Sequence, residues 1–182
     1  MSNIQIVFLT PERTDYTQQA AELLHQVFGP RGSWATLQDA EEEVAEMLAP
    51  ERFILIALQD NEVIAWVGGI PEYDGNVWEL HPILVKPTLQ RSGVGTQLIR
   101  AFEAEVKSRG GLTIQLGADD EHYQTSLGGA DLYTDLWEKI RDIQNLDNHP
   151  FEFYQKMGYT IIGVIPDANG YGKPDIILGK RV

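Results

Sequence analysis

The chain of 182 residues contains no cysteine. That excludes a disulfide framework, a thiolate zinc site and any acyl-cysteine intermediate in a group-transfer reaction. Positive charge is scarce as well: 14 Lys and Arg stand against 27 Asp and Glu, a formal net charge of −13. Phosphate backbones are held by basic surfaces, so nucleic acid is not an expected partner, whereas a cationic ligand is. No apolar run is long enough for a membrane span, and the start MSNIQIVFLTPER has neither a basic n-region nor a small-residue cleavage site, so neither a span nor a signal peptide is expected. A cytoplasmic protein fits these absences best. No Gly/Ser/Pro-rich linker, repeat or low-complexity tract divides the chain, and residues 1–182 are read as one domain.

What the sequence does contain is centred on residues 85–98, VKPTLQRSGVGTQL. An apolar, strand-like run (Leu80, Ile83, Leu84, Val85) leads into a helical pattern with Val94, Leu98, Phe102 and Val106 at four-residue spacing. Between them lies Gln90-Arg91-Ser92-Gly93-Val94-Gly95, whose glycines allow a tight turn and close approach of a ligand to the backbone. Amides of the loop and of the helix's first turn, through Thr96, then converge at the positive end of the helix dipole, which suits a diphosphate. A P-loop would need Lys-Ser or Lys-Thr after the second glycine, and Thr96-Gln97 stands there. A dinucleotide fingerprint would need glycine at Leu98. The remaining pattern, Gln/Arg-x-x-Gly-x-Gly between strand and helix, resembles the acetyl-coenzyme A loop of the GCN5-related N-acetyltransferases.

Along the chain, alternation of Ile4, Ile6 and Phe8 against Asn3, Gln5 and Val7 predicts a strand with one buried face. A helix is expected over residues 15–28, with Ala20, Leu24, Val27 and Phe28 inward, stopped by Gly29-Pro30. A second follows the capping box Thr36-x-x-Asp39, with Leu37, Ala40, Val44, Met47 and Leu48 inward. Its acidic residues Asp39, Glu41, Glu42, Glu43 and Glu46 read as a solvated face. Trp34, in the loop between these helices, reads as a lid on the core or as a substrate contact. Residues 53–58 and 63–70 form a predicted hairpin around Gln59-Asp60-Asn61-Glu62, and a third strand follows Tyr73-Asp74-Gly75-Asn76. Arg109-Gly110-Gly111 closes the long helix. After it come a strand from residue 112 in a right-handed parallel crossover, helices over 125–145 and 150–157, and closing strands over 159–165 and 175–180.

In Val77-Trp78-Glu79-Leu80-His81-Pro82-Ile83-Leu84-Val85, a period of two puts Glu79, His81, Ile83 and Val85 on one face and Trp78, Leu80 and Leu84 on the other. Pro82 has no amide hydrogen for a ladder, so the sheet should open locally and free the amide of Ile83 for a ligand carbonyl. A carboxylate and an imidazole on one face suit amine acylation, in which an ammonium must lose a proton before it attacks. Glu79 is the stronger candidate base because it also binds the cation. His81 remains the alternative, and both also fit a structural role. Tyr154, at helical spacing from Phe151 and Met157, reads by itself as a core aromatic. Asp119-Asp120-Glu121-His122 has poor spacing for a metal and reads as a substrate-facing acidic loop; no metal is expected.

Trp78-Glu79-Leu80-His81-Pro82, the 90–95 loop, the segment HPFEFYQKMGY from His149 to Tyr159 and NGYGKPD from Asn169 to Asp175 together resemble the aminoglycoside 6′-N-acetyltransferases of the GCN5-related (GNAT) superfamily. The resemblance implies an α/β (α+β) GNAT fold: a central mixed, mostly antiparallel twisted sheet of six to seven strands, flanked by helices and splayed near Pro82. It implies direct acetyl transfer from acetyl-coenzyme A to the 6′-amine of a cationic antibiotic, and a homodimer. Residue by residue it implies Glu79 as substrate-binding carboxylate and base with His81 beside it, and Tyr154 as acid for the leaving thiolate. It implies that Ile83, Leu84, Val85, Gln90, Arg91, Ser92, Gly93, Val94, Gly95 and Thr96 meet the coenzyme, the Ile83 amide polarising the thioester. Tyr73 and Asp119 fall where relatives line the antibiotic pocket, and Phe28 where some have tryptophan. Two other readings stay open: the same chemistry on a polyamine, another small amine or a protein amino group, and a non-catalytic binder of coenzyme A or a cation.

Overall fold

A computed structural model describes residues 4–182. Its chain divides into two compact units, one running to Leu112 and including Val182, the other Thr113–Arg181. In the first, β1 (Gln5–Leu9), β2 (Phe53–Gln59), β3 (Glu62–Glu72) and β4 (Val77–Val85) pair in that order, each antiparallel to the next. Helices α1 (Thr14–Phe28), α2 (Leu37–Met47) and α3 (Val94–Ser108) complete it. The β2–β3 hairpin turns on Asp60 and Asn61, both with positive φ (52° and 64°), as a two-residue turn matched to strand twist requires. The Thr36/Asp39 capping box is formed in both directions.

Apolar side chains fill both faces of these strands. On one, Leu9, Ile54, Ile56, Trp66 and Leu84 cluster with Ala20 and Leu24 of α1 and with Ala40, Val44 and Met47 of α2. The other face carries Phe53, whose ring lies 5.2 Å from Phe102 of α3 and 5.3 Å from Trp78. In α3 the expected stripe is buried throughout, Val94, Leu98, Phe102 and Val106 all being at most 2% exposed. The first strand departs from expectation. Leu9 is buried with Val7 packed beside it, while Phe8 is 45% exposed and meets Phe53 edge-on. A short edge strand over a sheet buried on both sides has no single apolar face for alternation to report. Leu37 is likewise exposed at the start of α2.

The decisive feature of β4 is a bulge. Val67 pairs with Ile83 and Gly69 with Leu80, so His81 and Pro82 together stand opposite the single residue Gly68. The proline without an amide hydrogen thus occupies the place where the ladder is interrupted. The extra residue also corrects the predicted period of two. Glu79 pairs with Ile70, which packs on the α1/α2 cluster, and Leu84 belongs to that cluster, so Glu79, His81 and Leu84 face one way. Trp78 lies on the α3 face, and by register with Val67 and Ala65 so do Ile83 and Val85.

In the second unit β5 (Thr113–Asp119), β7 (Asp175–Arg181) and β6 (Thr160–Ile165) pair antiparallel in that order, with short helices α4 (Leu136–Arg141) and α5 (Phe151–Lys156). The helix expected over 125–145 is only the six residues of α4. Thr125 instead bridges to Asn145, Gly129 and Asp135 adopt positive φ, and the Asp131 carboxylate accepts the Tyr133 amide. Glycines and short acidic side chains that bond their own backbone hold the rest as turns.

A Cβ at Gly68 would fall on the His81 carbonyl oxygen and on the Met47 methyl. Gly68→Ala is therefore expected to destabilise the fold by roughly 1–3 kcal/mol, the usual cost of forcing volume into a packed site, seen as a lower denaturant midpoint. An unchanged midpoint would show that the bulge does not depend on glycine there.

Candidate active site

The bulge brings His81 beside two residues of the α1/α2 region. Nε2 of His81 lies 3.7 Å from Oε1 of Glu43, and the Trp34 ring is 5.9 Å from the imidazole, tilted by 50°. The other Glu43 oxygen accepts a hydrogen bond from Nε1 of Trp34 at 3.1 Å. Trp34 itself sits at φ 48°, its carbonyl accepting from Nδ1 of His25 at 3.0 Å and its ring meeting Phe28 edge-on at 5.4 Å. Glu79 shares this face and is half-buried. Carboxylate, imidazole and indole thus converge where a cationic amine could bind and give up a proton.

Glu43 is a correction to the solvated-face reading of α2. Its side chain is 17% exposed, against 66% for Glu46. The signal was available: Glu43 stands three residues after Ala40 and four before Met47, both fully buried, at the edge of the inward stripe. Phe28 packs on the core and against Trp34, so the ring beside His81 is that of Trp34. Tyr73 is 75% exposed in a turn at φ 49°.

The Ile83 amide can be placed by hydrogen-bond parity. The Lys86 amide donates to Ile64 at 2.8 Å, so in this register residues 86 and 84 face β3 with their backbone groups, and residues 85 and 83 turn theirs away. The Ile83 N–H therefore points out of the β3–β4 ladder. Beyond Val85, a short turn at Pro87–Leu89 leads to Arg91 and Gly93 at φ 60° and 91°. Gly93 is the N-cap of α3, and the first intrahelical bond is from Gln97 to Gly93 at 3.1 Å. Amides of Val94, Gly95 and Thr96 precede that bond and have no intrahelical partner, as at every helix start. Gly95 needs no positive φ; it lies in the first turn of α3. The Gln90 and Ser92 side chains bond the Val85 and Leu89 carbonyls at 3.3 and 2.5 Å and so shape the loop.

In the second unit, Tyr154 on α5 is buried, its ring 5.9 Å from Tyr159. Burial pushes its phenol well above the ordinary range, so it stays protonated. Asp119 ends β5 with its carboxylate accepting from Nδ2 of Asn169 at 2.5 Å. Asp120 corrects the acidic-loop reading: it is fully buried, and its carboxylate accepts from the amides of Gln124 (2.6 Å) and Thr125 (2.9 Å) and the Thr125 hydroxyl (2.7 Å). Among the described residues no group of three or more His, Asp or Glu side chains is arranged to hold a metal ion, and no helix is long and apolar enough to cross a membrane.

Residues 17–128 match the Acetyltransferase (GNAT) family, and the chain belongs to the GNAT acetyltransferase family. Among solved structures, it is similar to an aminoglycoside 6′-N-acetyltransferase complexed with coenzyme A and to the aminoglycoside 6′-N-acetyltransferase from Enterococcus faecium. Each is 40% identical over 97% of this chain and 96% of the other, with a TM-score of 0.91. It is also similar to an aminoglycoside 6′-acetyltransferase type Ii, at 34% identity over 97% of this chain and 96% of the other and a TM-score of 0.74. No curated protein matches.

His149, singled out within the HPFEFY segment, anchors the second unit. It is 2% exposed, its Nδ1 accepts from the Phe151 amide at 3.2 Å and its Nε2–H donates to the Asp119 carbonyl at 3.1 Å, which defines a neutral ring. Burial lowers its pKa below 6.5 against the opposing pull of that hydrogen bond and of Asp120 and Asp119. Below about pH 6.5 the unfolded chain binds the extra proton first, so His149's contribution is full above that pH and lost as pH falls further. The stability gap between wild type and His149→Gln should narrow from pH 7.5 to pH 5.5 in thermal melts. A gap that widens on acidification would contradict the neutral assignment.

Proposed function

We propose that the chain transfers the acetyl group of acetyl-coenzyme A to the 6′-amine of aminoglycosides by direct attack in a ternary complex, a reaction that confers resistance to these antibiotics. Chain-length likeness to aminoglycoside 6′-N-acetyltransferases, one of them holding coenzyme A, carries this reading. In it residues 1–182 act as one acetyltransferase domain and as a homodimer, in the cytoplasm where the acetyl donor is available.

Amides of residues 91–96 take the coenzyme's diphosphate, with the backbone of Leu84 and Val85 alongside, and the Ile83 N–H polarises the thioester carbonyl. Glu79 binds the acceptor ammonium and takes its proton, directly or through water, with His81 as the neighbouring base. The amine nitrogen then bonds to the acetyl carbon and sheds its second proton to water, the carbon–sulfur bond breaks, and Tyr154 gives its proton to the thiolate and regains one from water. Phe28, Tyr73 and Asp119 are assigned to the acceptor. The net charge of −13 favours a polycationic acceptor.

Thiol release measured across aminoglycosides and polyamines tests the proposal. Release with aminoglycosides that carry a 6′-amine, and none with those that carry a 6′-hydroxyl, is expected; turnover of polyamines alone would overturn the acceptor assignment. Glu79→Gln should weaken acceptor binding and slow turnover by about 10²- to 10⁴-fold, whereas Tyr154→Phe should lower turnover with little change in acceptor KM. Wild-type turnover in Glu79→Gln would remove Glu79 from the proton path. Gly95→Val should raise KM for acetyl-coenzyme A far more than KM for the amine, because a side chain would intrude on the cradle. Equal KM values for the coenzyme in wild type and variant would place the diphosphate elsewhere.

A further inference from the structure

We infer that Glu43 is a positioning residue that, together with Trp34, sets the imidazole of His81 for the acceptor amine; the inference rests on the acetyl-transfer reading of His81. Glu43 is the one acidic side chain of α2 turned toward the sheet among Glu41, Glu42, Glu43 and Glu46, the other three being exposed. A carboxylate so withdrawn from water loses hydration that only partners can replace. Its two oxygens are divided between two of them: Oε2 takes the Trp34 indole N–H at 3.1 Å, and Oε1 faces Nε2 of His81 at 3.7 Å.

Each partner is itself held. The tryptophan carries a backbone at φ 48° and is fixed by His25 through its carbonyl and by Phe28 through its ring. His81 stands in the bulge, its backbone pressed against Gly68. The imidazole is therefore bounded by an indole on one side and a carboxylate at Nε2. A carboxylate there favours the tautomer with hydrogen on Nε2 and leaves Nδ1 as the ring's acceptor. Glu43 thus does for His81 what an orienting carboxylate does for any imidazole base, choosing which nitrogen is available. The 3.7 Å separation is longer than a hydrogen bond, and contacts of this kind at a catalytic site are often long in the free protein and tighten when a complex forms.

The experiment uses the full chain. Glu43→Gln keeps the side chain's shape and can still accept from Trp34, so it should fold and leave KM for acetyl-coenzyme A unchanged, while kcat/KM for a 6′-amino aminoglycoside falls about tenfold or more. Glu43→Asp, which keeps the charge, should recover part of that loss. In a His81→Ala background Glu43→Gln should cost nothing further, because its effect passes through the ring. Nitrogen NMR of the His81 ring should show the Nε2–H tautomer in wild type and a mixture in Glu43→Gln. Additive losses in the double variant, or a His81 ring signal unmoved by Glu43→Gln, would overturn the inference. Should wild type release no thiol with any aminoglycoside, the functional reading fails, and the ring signal alone still decides whether Glu43 sets His81.

Discussion

The bulge at His81 and Pro82 is the constraint on which the rest of the candidate site depends. A regular β4 would send His81 and Ile83 to one face and pair every second amide with β3. With two residues opposite Gly68, the strand keeps its ladder at both ends and changes phase between them. His81 then looks toward α2 beside Glu79, while Ile83 falls on the α3 face with its amide turned away from β3. Proline and glycine serve the same break from opposite strands. Pro82 contributes a missing hydrogen where no partner exists, and Gly68 contributes a missing Cβ where the His81 carbonyl has moved in.

Once His81 faces α2, the helix beneath has to meet it with something polar. The inward stripe of Ala40, Val44 and Met47 is apolar and fully buried, and Glu43 stands on its margin. A carboxylate there can reach the bulge without entering the core, and the indole N–H of Trp34 offsets its lost hydration. The backbone of Trp34 is left-handed as well. From that backbone its ring lies against Phe28 and His81.

Much of this was legible in the sequence. The capping box of Thr36 and Asp39, the Asp60-Asn61 hairpin, the four-residue stripe of α3 and the opening at Pro82 all rest on local chemistry, which a sequence displays. The phase change on β4 was not, because a bulge is defined by what stands opposite it, and Gly68 is far from Pro82 along the chain. Residues 125–145 misled for a related reason. The buried Asp120, outside the segment, accepts from the Gln124 and Thr125 amides at its start, and glycines and short acidic side chains within it hold turns in place of helix. Glu43 was hidden by its neighbours, since an acidic run reads as solvent-facing until each residue is placed around the helix.

The proposed reaction also requires an acidic protein to hold an anionic coenzyme, and the fold separates the two demands by using different kinds of group. Backbone amides at the start of α3 carry partial positive charge without a single added lysine, and the glycines at 93 and 95 keep side chains away from them. Side-chain carboxylates are thereby left for the acceptor, and the protein's net charge of −13 attracts a polycation. Had the diphosphate been held by basic side chains, their charge would have repelled the same cation that Glu79 is proposed to bind. An anion held by the backbone and a cation held by side chains can share one site because only the second uses formal charge, and that is why a scarcity of lysine and arginine is compatible with coenzyme A.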